Sequence, residues 1–289
     1  MGLEADPIAE PRSLSGPTAS GMLPLWSFLA ISAAFSWTMW LWPVSAGSYV
    51  FLNFRGWQVN WPASNIKFLI GNCLPGLIAL VWTSVQGKQY IADLLSTVLA
   101  WRVHPAWYIL SIAIPSGVFL TSLCTLLIHS RAELVQPPKM LLYTSLLSVP
   151  FGPVWEEIAW RAFALRKLQN RYSQVVSALI IGVYWAVWHV PLWLITLNYL
   201  TFKLLVIVCI NLVSWSVISS YLYNRSGQGL PVVMLLHATY FTVQNLVFAS
   251  VSKGNIRLIP IVALLSACLA AILAGRLAAA LSRERAPSK

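Results

Sequence analysis

Two glutamates, an arginine and two histidines lie within apolar stretches of a chain in which charged residues make up only 9% of 289 positions. Glu156, Glu157 and Arg161 share the stretch VWEEIAWR, whereas His189 and His237 lie in two later apolar stretches. Ionisable groups at membrane depth are costly and usually face the protein interior or a water-filled cavity. A carboxylate and an imidazole together can transfer a proton, and two histidines with one carboxylate are also zinc ligand types. These residues form the candidate site.

Long apolar segments must position these side chains, because 58% of the residues are hydrophobic. Most of these segments reach the roughly 20 residues of a membrane-spanning helix. The run at 140–151 is too short alone, but with 153–165 it makes one broken span. The sequence therefore predicts an all-α membrane protein with about eight transmembrane helices and a broken fourth span, since lipid-exposed backbone must satisfy its own hydrogen bonds. The runs are 25–43, 66–85, 107–128, 140–151, 175–197, 204–222, 230–250 and 258–281.

The spacing of the candidate residues predicts that they meet at a similar depth. If the fourth and fifth spans form a hairpin that turns near Tyr172, Glu156 and His189 lie almost equally far from the turn. At equal rise per residue they would face each other on neighbouring helices. His237 follows Pro231, a good first helical residue, and enters from the same side of the membrane.

The break at 150–153, with the sequence PFGP, predicts different roles for the two glutamates. Pro153 can begin a new helix, whose first turns favour carboxylates. Glu157 and Arg161 are four residues apart and can pair, while Glu156 is rotated by about 100° from Glu157. We expect Arg161 to hold Glu157, and Glu156 to face a cavity.

The net charge of +11 does not indicate nucleic-acid binding, because the basic residues are scattered over loops. They are more frequent in the tails and alternate loops that lie on one side of the membrane, so the positive-inside rule predicts that both termini are cytoplasmic. We expect a disordered cytoplasmic tail at 1–22, one membrane domain at 23–282 and a basic carboxyl tail at 283–289. The segment 88–102 has helical apolar spacing between basic ends, which predicts an interfacial helix.

Three ordered motifs resemble the CAAX-protease and bacteriocin-processing (CPBP) family. They are Glu-Glu-x-x-x-Arg at 156–161, an aromatic-x-x-x-His at 185–189, and YLYNRSGQGLPVVMLLHA, which ends just after His237. The resemblance covers about 75–250. It implies an eight-span intramembrane endopeptidase, a fold also known from abortive-infection proteins.

The resemblance also implies roles for the site residues. Glu156 and His189 would activate a water that attacks a peptide carbonyl, and His237 would stabilise the oxyanion. Glu157 belongs to the same catalytic motif, with Arg161 as its structural support. The resemblance favours a metal-free glutamate protease, and the alternative is a zinc ion held by Glu156, His189 and His237.

Two positions depart from the family motifs. Trp185 stands where the family has Phe, and we interpret it as a packing residue. Phe241 stands where the third motif has Asn, four residues after His237. Asn245, two turns beyond His237, and Asn211 on the sixth span are the candidate oxyanion partners that could replace that amide.

The expected partners are the lipid bilayer and a peptide or membrane-protein substrate, with prenylated CAAX proteins among the alternatives. A compact chain of this kind fits a multi-pass protein of the bacterial inner membrane. A second hypothesis is a catalytically inactive membrane scaffold or partner-binding protein, which Phe241 would explain. A transporter is less compatible, because no second half repeats the broken span.

Overall fold

The computed structural model describes residues 23–43, 49–54, 57–130, 132–196, 201–252 and 255–284. The tail predicted at 1–22 and most of the basic tail at 283–289 lie outside these residues. Helices dominate the described part, which confirms the all-α membrane class. The helices are α1 Leu23–Leu41, α2 Ala63–Gln86, α3 Lys88–Val98, α4 Pro105–His129, α5 Lys139–Ser148, α6 Pro153–Glu157, α7 Arg166–Gln169, α8 Gln174–Thr196, α9 Phe202–Arg225, α10 Leu230–Ala249 and α11 Asn255–Glu284.

Within the described residues, six helices are long and apolar enough to cross a membrane: α2, α4, α8, α9, α10 and α11. The apolar part of α1, Leu25–Leu41, is shorter. The predicted fourth span consists of several short helical segments, from α5 to α7, and not of one continuous helix. The order of helices therefore follows the predicted order of spans, including the broken one.

The breaks in the fourth span have local causes. A 3-10 turn, Val149–Phe151, follows α5, and Pro153 begins α6 as predicted. Proline suits the first turn of a helix, where its missing N–H costs nothing, but it cannot continue the helix before it. A π-helical segment, Ile158–Leu165, then joins α6 to α7. The sequence analysis did not predict this segment, and π-helical turns are frequent at functional sites.

The predicted interfacial helix corresponds to α3. Leu94 and Thr97 form its buried face. Asp93 pairs with Arg166 of α7 at 2.8 Å, so α3 is attached to the end of the broken span that carries the glutamates. An ion pair with one buried partner fixes position more than it stabilises the fold.

Two short antiparallel ladders were not predicted. Strands β1 Tyr49–Phe54 and β2 Trp57–Pro62 form a hairpin between α1 and α2, with Tyr49 opposite Pro62. Strands β3 Glu133–Leu134 and β4 Val251–Ser252 also pair. The aromatic and β-branched residues of the hairpin favour strands, and a search for long apolar runs does not detect such short elements.

Small residues bring the site helices close together. A Cβ on Gly182 of α8 would lie 2.9 Å from Val213 Cα of α9, and Ser216 donates to the Ala178 carbonyl across the same contact at 2.9 Å. A Cβ on Gly76 of α2 would lie 2.5 Å from the Trp155 carbonyl oxygen of α6. Close approach at small residues is typical of helix packing in membranes.

Candidate active site

Glu157 is the last residue of α6 and is fully buried. Its Oε1 accepts a hydrogen bond from Arg161 Nη1 at 3.0 Å, which confirms the predicted pairing. The same oxygen also lies 2.8 Å from His237 Nδ1 of α10. The sequence analysis did not anticipate this second bond, which joins two positions far apart in the chain. Glu157 therefore stands between a guanidinium and an imidazole.

The bond to Glu157 fixes the orientation of His237. An ionised carboxylate only accepts, so Nδ1 of His237 carries the proton and Nε2 is directed away from Glu157. In the imidazolium form Nε2 also donates. His237 is thus held ready to donate from Nε2.

His189 of α8 is oriented by the backbone of its own helix. Its Nδ1 lies 2.9 Å from the Trp185 carbonyl oxygen. A carbonyl only accepts, so Nδ1 carries the proton and neutral His189 has a lone pair on Nε2. Its ring stacks on Trp193 at 5.5 Å between centroids. Glu156 and His237 are both close enough to His189 to interact with it electrostatically.

Glu156 lies in the first turn of α6 and is 4% exposed. Its Oε2 accepts a hydrogen bond from the indole Nε1 of Trp185 at 2.7 Å. A Cβ on Gly152 would lie 3.7 Å from the other oxygen, Oε1, so a residue without a side chain borders that oxygen. Oε1 accepts no hydrogen bond from the described residues, which leaves it available to a water or a substrate.

Trp185 contacts four other residues of this cluster. Besides its bond to Glu156, its ring lies 5.2 Å from the ring of His237 and 5.1 Å from Arg161 Cζ. Its carbonyl holds His189. The interpretation of Trp185 as a packing residue was incomplete, because sequence spacing does not reveal where an indole N–H points.

Arg161 lies within the π-helical segment and is fully buried. Its Nε and Nη2 have no hydrogen-bond acceptor among the described residues, and neither has Glu157 Oε2 a donor. A buried charged pair with unused hydrogen-bonding capacity is an expensive arrangement. Such a cost is typical of functional sites, where geometry is retained at the expense of stability.

The two candidate oxyanion amides bond to other side chains. Asn245 Nδ2 donates to Ser145 Oγ at 3.0 Å, which ties α10 to α5. Asn211 Nδ2 donates to the Tyr240 hydroxyl at 3.1 Å. The Tyr240 ring is 6.5 Å from that of His237, so Asn211 is connected to the site through Tyr240. Phe241 packs against the apolar core.

The zinc alternative would have Glu156, His189 and His237 hold a metal ion. Among the described residues, no group of three His, Cys, Asp or Glu side chains is arranged to hold one. His237 uses Nδ1 for Glu157, His189 uses Nδ1 for a carbonyl, and Glu156 uses Oε2 for an indole. These bonds leave Nε2 of both histidines and Oε1 of Glu156 open, and a zinc-bound histidine commonly donates its other N–H in the same way, so zinc stays the alternative to a metal-free site.

Comparison with known proteins gives two findings. Residues 137–243 match the model of the type II CAAX prenyl endopeptidase Rce1-like family, and this segment includes the whole cluster described above. CAAX prenyl protease 2 of Methanococcus maripaludis is 30% identical over 90 residues, which cover 22% of this chain and 33% of that protein. The matched part thus spans about a third of the relative's length. Both findings support the resemblance drawn from the three motifs.

Proposed function

We propose that this chain, whose residues 137–243 match the model of the Rce1-like CAAX prenyl endopeptidase family, is an intramembrane endopeptidase in which Glu156 and His189 activate a water. One observation carries the proposal: Glu156 Oε1 and Nε2 of both histidines have no partner among the described residues, while their other polar atoms are held. Fixed side chains with one free reactive atom each are what proton transfer requires.

In the first step, Glu156 and His189 take a proton from the water. The water oxygen attacks the carbonyl carbon of the peptide bond, and a new C–O bond forms. The electron pair of the C=O bond moves to its oxygen, which becomes an oxyanion. The proton is held by the carboxylate–imidazole pair until the leaving group needs it.

His237 acts on the oxyanion. As an imidazolium it donates from Nε2, while the Glu157 carboxylate balances its charge through Nδ1. Arg161, Glu157 and protonated His237 together carry one net positive charge, which suits a developing anion in a poorly solvated site. Asn211, bonded to Tyr240, is the better placed of the two candidate amides for a supporting role.

In the last step, the tetrahedral carbon releases the amine. The C–N bond breaks, its electron pair stays on nitrogen, and nitrogen takes the proton from the carboxylate–imidazole pair. The oxyanion returns to a carbonyl, and the products are an amine and a carboxylic acid, which then loses its proton to water. The cycle uses water alone and no metal, which is the metal-free version of the proposal.

The substrate class follows from the membrane setting. A site among apolar helices is suited to peptides or proteins already bound to the bilayer, and the relative from Methanococcus maripaludis is a CAAX prenyl protease. We extend that substrate class to this chain, including prenylated carboxyl-terminal segments. The tails and loops on one side of the membrane are richer in basic residues than the loops on the other side. This supports a bacterial inner-membrane protein whose two termini are cytoplasmic.

Phe241 supports one alternative, a catalytically inactive scaffold with the same fold. In that case the glutamates and histidines would only hold the helices together. The cost of keeping such groups in a membrane favours the enzyme.

The test is cleavage of a peptide library that contains prenylated and unprenylated members, by purified protein in lipid nanodiscs. The variants are Glu156→Gln and, as a matched control, Glu133→Gln on the exposed strand β3. We expect cleavage by wild type and Glu133→Gln, and a loss of about 10²–10⁴-fold in Glu156→Gln, the typical worth of a general base. A folded wild type that cleaves no member would support the scaffold.

A further inference from the structure

The shortest hydrogen bond between two side chains of the candidate site joins Trp185 to Glu156. The indole Nε1 lies 2.7 Å from Oε2, and the two residues are 3% and 4% exposed. A hydrogen bond to an ionised carboxylate is shorter and about twice as strong as a neutral one. Away from bulk water this bond also has little competition from solvent.

The position of Trp185 gives this bond a geometric consequence. Glu156 lies at the start of α6, a helix of five residues that is separated from α5 by a turn. Trp185 belongs to the long helix α8, as does His189. The bond from Trp185 therefore fixes the position of the Glu156 carboxylate, on the short helix α6, relative to the His189 imidazole on the long helix α8.

The remaining contacts of Trp185 keep the indole itself in place. Arg161 lies over its ring at 5.1 Å, and the His237 ring meets it edge-on at 5.2 Å. A guanidinium over an indole face is a favourable cation–π contact. The direction of the indole N–H is thus fixed by two other members of the cluster.

We propose that Trp185 is the positioning residue of this site. Its indole N–H holds Oε2 of Glu156, so that Oε1 is the oxygen presented to the water beside His189. The proposal rests on the proposed peptidase function. It predicts that the ring alone is insufficient and that the N–H of Trp185 is needed for turnover.

Trp188 offers a matched control on the same helix. Its side chain is fully buried, and its ring packs against Trp40 and Trp160 and meets the His189 ring edge-on at 4.7 Å, a contact that another aromatic ring can retain. Its Nε1, however, has no hydrogen-bond partner among the described residues. Replacement by Phe at either position removes an indole N–H and keeps an aromatic ring, but only at Trp185 does it remove a bond to a carboxylate.

The first experiment compares the kinetics of Trp185→Phe and Trp188→Phe in nanodiscs, with a peptide that the wild type cleaves. We expect kcat of Trp185→Phe to fall by about 10- to 100-fold, the usual effect of losing one hydrogen bond to a charged group. KM should stay within about threefold, because the lost contact acts on the catalytic carboxylate and not on substrate binding. Trp188→Phe should keep kcat within about threefold of the wild-type value.

The second experiment needs no activity. Isotope-labelled indole N–H signals are recorded by NMR, and the Trp185 signal is identified as the one that Trp185→Phe lacks. We expect this signal to lie downfield and to move upfield in Glu156→Gln, where a neutral amide replaces the charged acceptor. A Trp185 signal that does not respond to Glu156→Gln would overturn the proposed bond.

The outcomes separate the two proposals. Normal kcat in folded Trp185→Phe, with an active wild type, would overturn the positioning role and leave the peptidase function standing. Equal losses in Trp185→Phe and Trp188→Phe would assign both effects to packing and would also overturn it. A wild type that cleaves nothing would overturn the peptidase function, and the positioning role with it, even if the indole signal responds.

Discussion

Replacing Glu157 by Gln tests whether this glutamate is structural. In the native protein its Oε1 accepts from Arg161 at 3.0 Å and from His237 at 2.8 Å, and no part of the residue is exposed. Glutamine has the same shape and can keep one of these bonds through its carbonyl oxygen. It cannot, however, balance the charge of the buried guanidinium, which has unused donors already.

The expected loss is large for a change of so few atoms. Breaking a buried ion pair by removing one partner costs about 3–5 kcal/mol, because the other charge stays buried and unpaired. For a chain longer than about 150 residues, each kcal/mol moves Tm by roughly 2–4 °C. Glu157→Gln should therefore lower Tm by roughly 6–20 °C, within these limits.

The assay is thermal unfolding in matched detergent, followed by the loss of the monodisperse chromatographic peak. Glu156→Gln is the control, since Glu156 bonds to an indole and not to a buried cation. Its loss of Tm should be less than about half the loss in Glu157→Gln. The double variant Glu157→Gln, Arg161→Met should recover part of the lost Tm, because it removes the orphaned charge. A well-expressed Glu157→Gln with wild-type Tm and no activity would mean that the roles of the two glutamates are reversed.

Four further predictions concern the candidate amides, Phe241, zinc and the packing of α8. Asn211→Leu should lower turnover more than Asn245→Leu, because Asn211 bonds to Tyr240, which lies beside His237, whereas Asn245 bonds to Ser145 of α5. Equal cleavage rates of the two variants would contradict this. Phe241→Asn should raise turnover if the missing motif amide limits it, and an unchanged rate would show that it does not. Cleavage should survive strong zinc chelators, and loss of activity that added zinc restores would refute the metal-free mechanism. Gly182→Ala should lower Tm, because its Cβ would lie 2.9 Å from the backbone of α9. Gly117→Ala should leave Tm unchanged, because its Cβ would have no neighbouring atom within 4 Å.

The sequence predicted those parts of the fold that depend on local rules. Apolar length located the long helices, and Pro153 marked the start of α6 because proline suits a first helical turn. The pairing of Glu157 with Arg161 followed from their spacing of four residues. The similar distances of Glu156 and His189 from the turn near Tyr172 indicated that the fourth and fifth spans share the site.

The contacts that connect distant helices were not predictable in this way. The bond from Glu157 to His237 depends on the rotation of α10 about its own axis, and the bond from Trp185 to Glu156 depends on one rotamer. Apolar helices in lipid show little preference for one rotation, since lipid tails are as apolar as the side chains. The π-helical segment was likewise not predictable, because seven of its eight residues are apolar and do not mark one face of the helix.

The measurement that tests the central claim most directly is the turnover of Glu156→Gln, in nanodiscs, at a temperature where its folded fraction equals that of the wild type. The substitution keeps the shape of the side chain and removes its ability to take a proton. We expect a rate about 10²–10⁴-fold below that of wild type, with a loss of Tm less than about half that of Glu157→Gln. A folded Glu156→Gln protein that cleaves at the wild-type rate would contradict the account.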